Sequence, residues 1–133
     1  MGAEPWDYFV PYEDNIQAAL DKLREREFLA GRYNGSENGP ETIEEIMEWM
    51  DEDGTRSILD ITTVAEEPNF CTVAPLPREG LIELFGTDRP TRRMIEQRML
   101  DVYENIDRGQ GIYVVAYEGN KPSEIFFGGY SFD

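Results

Sequence analysis

Apolar residues recur at two different periods along this chain, and the changes of period outline its elements. Trp6, Tyr8, Val10 and Tyr12 fall at every second position, which predicts a strand over 5–12. Pro5 and Pro11 lack the N–H that a central strand must donate, so the segment belongs at a sheet edge or in an extended arm. Asp14 can cap a helix that opens at Asn15. Ile16, Ala19, Leu20 and Leu23 keep helical spacing, the stripe blurs at Arg26 and Glu27, and Phe28 resumes it. Gly31 supplies the stop, and residues 32–39 have the composition of a loop.

Pro40 suits the first turn of a second helix, whose stripe is Ile43, Ile46, Met47 and Met50 and whose stop is Gly54. Glu41, Glu44 and Glu45 sit near its positive end, where each acid stabilises by about 0.3–1 kcal/mol. The β-branched content of residues 56–64 predicts a strand, and Glu66 to Asn69 a turn. Phe70 to Ala74 reads as a further strand, closed by Pro75 and Pro77. A short helix over 77–85 ends before Gly86. Thr87, Asp88 and Pro90 open a longer one, carrying Ile95, Met99, Val102, Tyr103 and Ile106 and stopped by Gly109 and Gly111.

The near-continuous apolar run from Ile112 to Glu118, the turn residues 119–122 and the return over 123–128 predict a closing β-hairpin, followed by an aromatic tail with Tyr130 and Phe132. Helices and strands do not alternate regularly. The expected fold is therefore α+β: one domain over 1–133, with a small, mostly antiparallel sheet and three to four helices packed on one face.

Charge changes the picture more than any other property. Twenty-eight acids face twelve bases across 133 residues, giving −16 with no histidine. Such a chain repels phosphate backbones and anionic lipid, which argues against nucleic-acid and membrane partners, and it steers basic proteins inward. Solubility or a salty cytoplasm would account for the same acidity. Cys71 is the single cysteine, so no internal disulfide can form. No signal sequence or membrane span is read from the chain, and a cytoplasmic location is expected.

The absence of histidine removes the commonest general base and metal ligand. No phosphate-cradling glycine motif occurs, and no cofactor is expected. Asp51-Glu52-Asp53-Gly54 glances at a calcium loop, but with Gly54 at the sixth position Trp49 would stand first and Asp60 last. Trp49 cannot ligate. Cys71 is either a nucleophile or a small core residue. Asp60, between Leu59 and Ile61, and Asp7, between Trp6 and Tyr8, are the carboxylates set in apolar sequence. Arg89, Arg92, Arg93 and Arg98 gather in one segment, where they can neutralise acids within the fold or in a second copy.

The segments Pro5–Tyr12, Gly54–Ile61 and Gly128–Phe132 resemble a group of small acidic bacterial proteins. That resemblance implies a bacterial cytosolic origin and carries no activity. The preferred expectation is a protein-binding module, immunity- or inhibitor-like, that docks a basic partner on Glu44, Glu45, Glu48 and Asp51, with Trp6 and Tyr8 as aromatic contacts. One alternative is a small-molecule binder or carboxylate-dependent enzyme with a pocket between the N-terminal aromatics and the sheet, served by Asp7, Tyr8, Asp60 or Cys71. Another is a structural subunit that forms a homo-oligomer through the edge of its C-terminal hairpin.

Overall fold

Consecutive apolar residues in the hairpin force the sheet to be covered on both sides, and this arranges the whole chain. The computed structural model describes residues 5–33, 39, 41–49, 55, 57–67, 69, 71–104, 106, 107 and 109–130. Among them, β1 (Pro5–Pro11), β2 (Thr63–Val64), β3 (Thr72–Pro75), β4 (Gly111–Glu118) and β5 (Lys121–Tyr130) form one mixed sheet. Its order is β1-β5-β4-β3-β2. The β1–β5 and β5–β4 pairs are antiparallel, whereas β4–β3 and β3–β2 are short parallel pairs. With α1 (Ile16–Ala30), α2 (Ile43–Trp49), α3 (Arg78–Phe85), α4 (Arg92–Gln97) and α5 (Met99–Tyr103), the fold is α+β.

The C-terminal hairpin is present. Gly119 and Asn120 take φ values of 58° and 64°, the left-handed pair that matches a two-residue turn to strand twist. β5 runs beyond the expected 123–128 because it is paired along both sides, with Phe127 opposite Tyr8 of β1 and Tyr113 of β4. β1 lies at an edge, as its prolines require. The hairpin is thus central. Past the end of β3, the outer side of β4 meets the chain before α4, where the Tyr117 N–H donates to the Pro90 carbonyl at 2.8 Å. Edge-to-edge pairing would have to use β1 or β2.

Ile125 and Phe127 point to one face and Phe126 to the other. On the first face they pack with Trp6, Val10 and the α1 residues Ala19, Leu20 and Leu23. On the second, Phe126, Ile112, Val114 and Ala116 meet Ile95 of α4 with Val102 and Tyr103 of α5. Three helices, α3–α5, pack on one face, and α1 covers the other. A strand that is apolar at successive positions, as 125–127 is, needs cover on both faces.

Three glycines make this sandwich possible. A Cβ on Gly129 would stand 2.5 Å from the Trp6 ring and 2.5 Å from the Gln110 carbonyl oxygen. One on Gly111, opposite Gly129, would stand 2.9 Å from the same ring. One on Gly128 would stand 2.6 Å from Phe126. Adjacent glycines in β5 therefore make room for Trp6 and for Phe126.

Local expectations differ in three places. The N-cap of α1 is Asn15, whose Oδ1 accepts the Ala18 N–H at 3.0 Å, while Asp14 accepts from the Tyr12 hydroxyl. Within the strand expected over 56–64, Ile58–Asp60 form a 3-10 turn, and among the described residues only Thr63–Val64 pair as a strand. Ser57 caps that turn and Asp60 ties back to Thr55, so side-chain hydrogen bonds override β propensity. The long helix expected after Pro90 starts from Thr91 as N-cap and breaks at Arg98 into α4 and α5, with Ile95 and Val102 in the same core. Among the described residues no helix is long and apolar enough to cross a membrane.

Candidate functional site

Where α1 and α2 approach each other, the apolar stripe of α1 runs out toward solvent. Leu29 is 75% exposed. Beside it a groove of about 350 Å³ is walled by Phe28, Leu29 and Ile43 and bordered by Asp21, Glu25 and Glu44. Glu25 and Glu44 form no ion pair among the described residues. Arg24 also lines the groove, but its guanidinium is half-buried and donates inward to the Leu59 carbonyl at 3.2 Å. Burial pushes the Arg24 pKa down, and the negative charges of Asp21, Glu44 and Asp60 oppose that shift. Three carboxylates therefore face one inward-turned guanidinium, and the groove is an apolar cleft in a negative field.

Of the six residues expected to bind a partner, Glu44 stands in this groove. Glu45 lies next to it but is occupied in capping α2. Its N–H donates to the Thr42 hydroxyl at 3.2 Å, and its carboxylate accepts the Glu41 N–H at 2.8 Å. The Glu48 side chain and Asp51 lie outside the described residues, as does the calcium-like run 51–54. Trp6 is buried in the core. Tyr8 is half-buried, and its hydroxyl oxygen accepts the Ile58 N–H at 3.4 Å. The two aromatics hold β1 onto α1 and the 3-10 turn.

A buried carboxylate that sequence reasoning missed lies at the end of the α1 stripe. Glu27 is 3% exposed and meets Arg32 at 2.8 Å and Arg26 at 3.1 Å. Burial pushes its carboxyl up, yet hydrogen bonds and charge from the two arginines outweigh that and hold its pKa below the usual carboxylate range. Tyr8 lies close enough to feel both Glu27 and Arg26, although burial is the main cause of its raised pKa. Spacing could have revealed Glu27: it falls four residues after Leu23 and seven after Leu20, on the buried side of α1.

Asp7, Tyr8, Asp60 and Cys71 do not converge. Asp7 and Tyr8 alternate along β1, and the Asp7 carboxylate accepts from Tyr103 on the second face, at 3.2 Å. Asp60, 1% exposed, accepts the Thr55 N–H at 2.6 Å and the Thr55 hydroxyl at 2.7 Å, which closes the 3-10 turn. Burial first, then the charge of Asp60, pushes the Cys71 thiol up, away from the thiolate that nucleophilic attack requires. Among the described residues no three His, Cys, Asp or Glu side chains are grouped so as to hold a metal ion.

The arginine cluster is mostly engaged internally. Arg92 meets Glu124 at 3.0 Å and lies over the Phe9 ring, and Arg98 meets Asp101 at 3.4 Å. Arg89 stacks over Tyr117.

A second concavity of about 510 Å³ opens on the other side of the molecule, between the end of β3 and α3. Its walls are Pro75, Leu76, Leu84 and Ile112, and its charged residues are Glu66, Glu67 and Glu83.

Fold and surface together define a small α+β protein, and these two concavities have apolar walls and carboxylate borders. No family model, curated protein or solved structure matches the chain.

Proposed function

We propose that this chain is a protein-binding module that docks a basic partner through the α1–α2 groove. The observation that carries the reading is the meeting of exposed Leu29 with Glu25, Glu44 and Asp21 around one cleft. An apolar anchor ringed by like charges suits a partner segment that alternates aliphatic and basic side chains. The overall charge of −16 adds long-range steering, which speeds encounter and weakens as salt screens it. Relative to the face expected from sequence, the proposed docking surface keeps Glu44, is without Glu45, Trp6 and Tyr8, and gains Asp21, Glu25 and Leu29 from α1.

Affinity capture from cell extract, with the intact chain as bait, tests the reading. Baits carrying Leu29→Asp or the pair Glu25→Gln and Glu44→Gln are run alongside at low and high salt. The expected result is a basic protein retained by the parent bait at low salt and lost from both variants. Recovery of no basic protein, or undiminished recovery on both variants, would overturn it.

A further inference from the structure

The concavity beside α3 is separate from the α1–α2 groove, and its chemistry is more selective. Two glutamates come from the turn after β2 and one from α3, so distant parts of the chain bring charge and apolar wall together. Among the described residues no lysine or arginine lines it. Glu66, Glu67 and Glu83 are exposed and form no ion pair among the described residues. The volume of about 510 Å³ falls within the span of small-molecule sites.

Gly80 supplies an independent observation. It lies in α3, where alanine is the better helix former, and it lines the concavity. The fold does not demand it. A Cβ there would meet only the Pro77 ring at 3.5 and 3.6 Å, which is ordinary contact, and its φ lies outside the left-handed region. What the missing side chain does is keep that wall open. None of the seven side chains of α3 is fully buried, and Leu84 is the apolar one that lines the cleft.

We infer that this concavity binds a small organic cation with an apolar body, of the aryl-alkyl amine class. The body packs on Leu76, Leu84 and Ile112 while the ammonium lies in the negative field of the glutamates that line the concavity, Glu66, Glu67 and Glu83. The positive end of α3 offers a weaker, opposing influence. A helix terminus carries about half a unit charge, against three full carboxylate charges. The cation is therefore preferred over an anion. The inference stands apart from the docking groove and survives if that reading fails.

Titration of the isotope-labelled full chain, followed by amide NMR, tests it with three probes: 4-phenylbutylamine, 4-phenylbutanol and methylamine. The amine is expected to shift the amides of Leu76, Gly80, Leu84 and Ile112. It should bind about tenfold more tightly than the alcohol, as several surface charge pairs would give. Methylamine, which has charge without the body, should produce no localised shifts. Glu67→Gln with Glu83→Gln should bring amine affinity down to that of the alcohol. Gly80→Leu should abolish binding, with Gly80→Ala as the milder variant whose fold is safe. Equal affinity for amine and alcohol, or shifts spread over the acidic surface, would overturn the inference. So would localised binding of a Lys-Leu hexapeptide without any response to phenylbutylamine.

Discussion

At Gly129 the fold tolerates no side chain, because an added Cβ would press on backbone as well as on the Trp6 ring. Gly129→Ala should lower stability by about 3 kcal/mol, measured by denaturant unfolding, since neither the Gln110 carbonyl nor the sheet can move aside cheaply. Gly80→Ala should do the opposite, raising stability by up to about 1 kcal/mol. Glu27 has the clearest pH signature. Its folded pKa is depressed, so its contribution is present above the ordinary carboxylate range and is lost as pH falls through the folded value. Glu27→Gln should remove about 1–2 kcal/mol near neutrality, discounted for half-exposed arginines, and the gap from the parent should close in acid. At Cys71 the raised pKa predicts slow alkylation by iodoacetamide near neutrality, accelerating only above the ordinary thiol range. Rapid neutral alkylation would contradict that placement.

At the scale of elements, the legible parts were those set by local chemistry. Prolines in β1 announced an edge, Gly31 announced the end of α1, and the Gly119-Asn120 turn announced the hairpin. What remained hidden depended on partners distant in sequence. Asp60 stands out in sequence as a carboxylate between apolar residues, but its role in closing a turn shows only once Thr55 is seen to bond to it. The two short parallel pairs of β3 cannot be read from its four residues, because their register is set by the α3–α5 crossover and by the turn after β2. β2 itself is held by α1: the Gln17 side chain accepts the Val64 N–H at 2.9 Å and donates to the Thr62 carbonyl at 3.3 Å. Gln17→Ala should therefore cost about 1 kcal/mol and speed hydrogen exchange at Val64 well before the central strands respond.

For the whole molecule, the charge and the α+β class are legible in the sequence, but not where the acids meet apolar surface. Glu44 was legible as part of an acidic helix. Its neighbours Asp21, Glu25 and Leu29 were not, because they come from a different helix and share only a spatial cleft. Both concavities are assembled this way, from residues far apart in the chain. As proposed, the α1–α2 groove, rather than acidity at large, selects a basic partner. The most direct measurement is the dissociation constant of the captured partner for three forms of the chain. These are the parent, the groove variant Glu25→Gln with Glu44→Gln, and a control that removes two exposed acids elsewhere, Glu104→Gln with Glu118→Gln. The groove variant should lose about tenfold or more in affinity, with little change for the control. Equal losses for the two variants would mean that net charge alone attracts the partner, and would contradict selection by the groove.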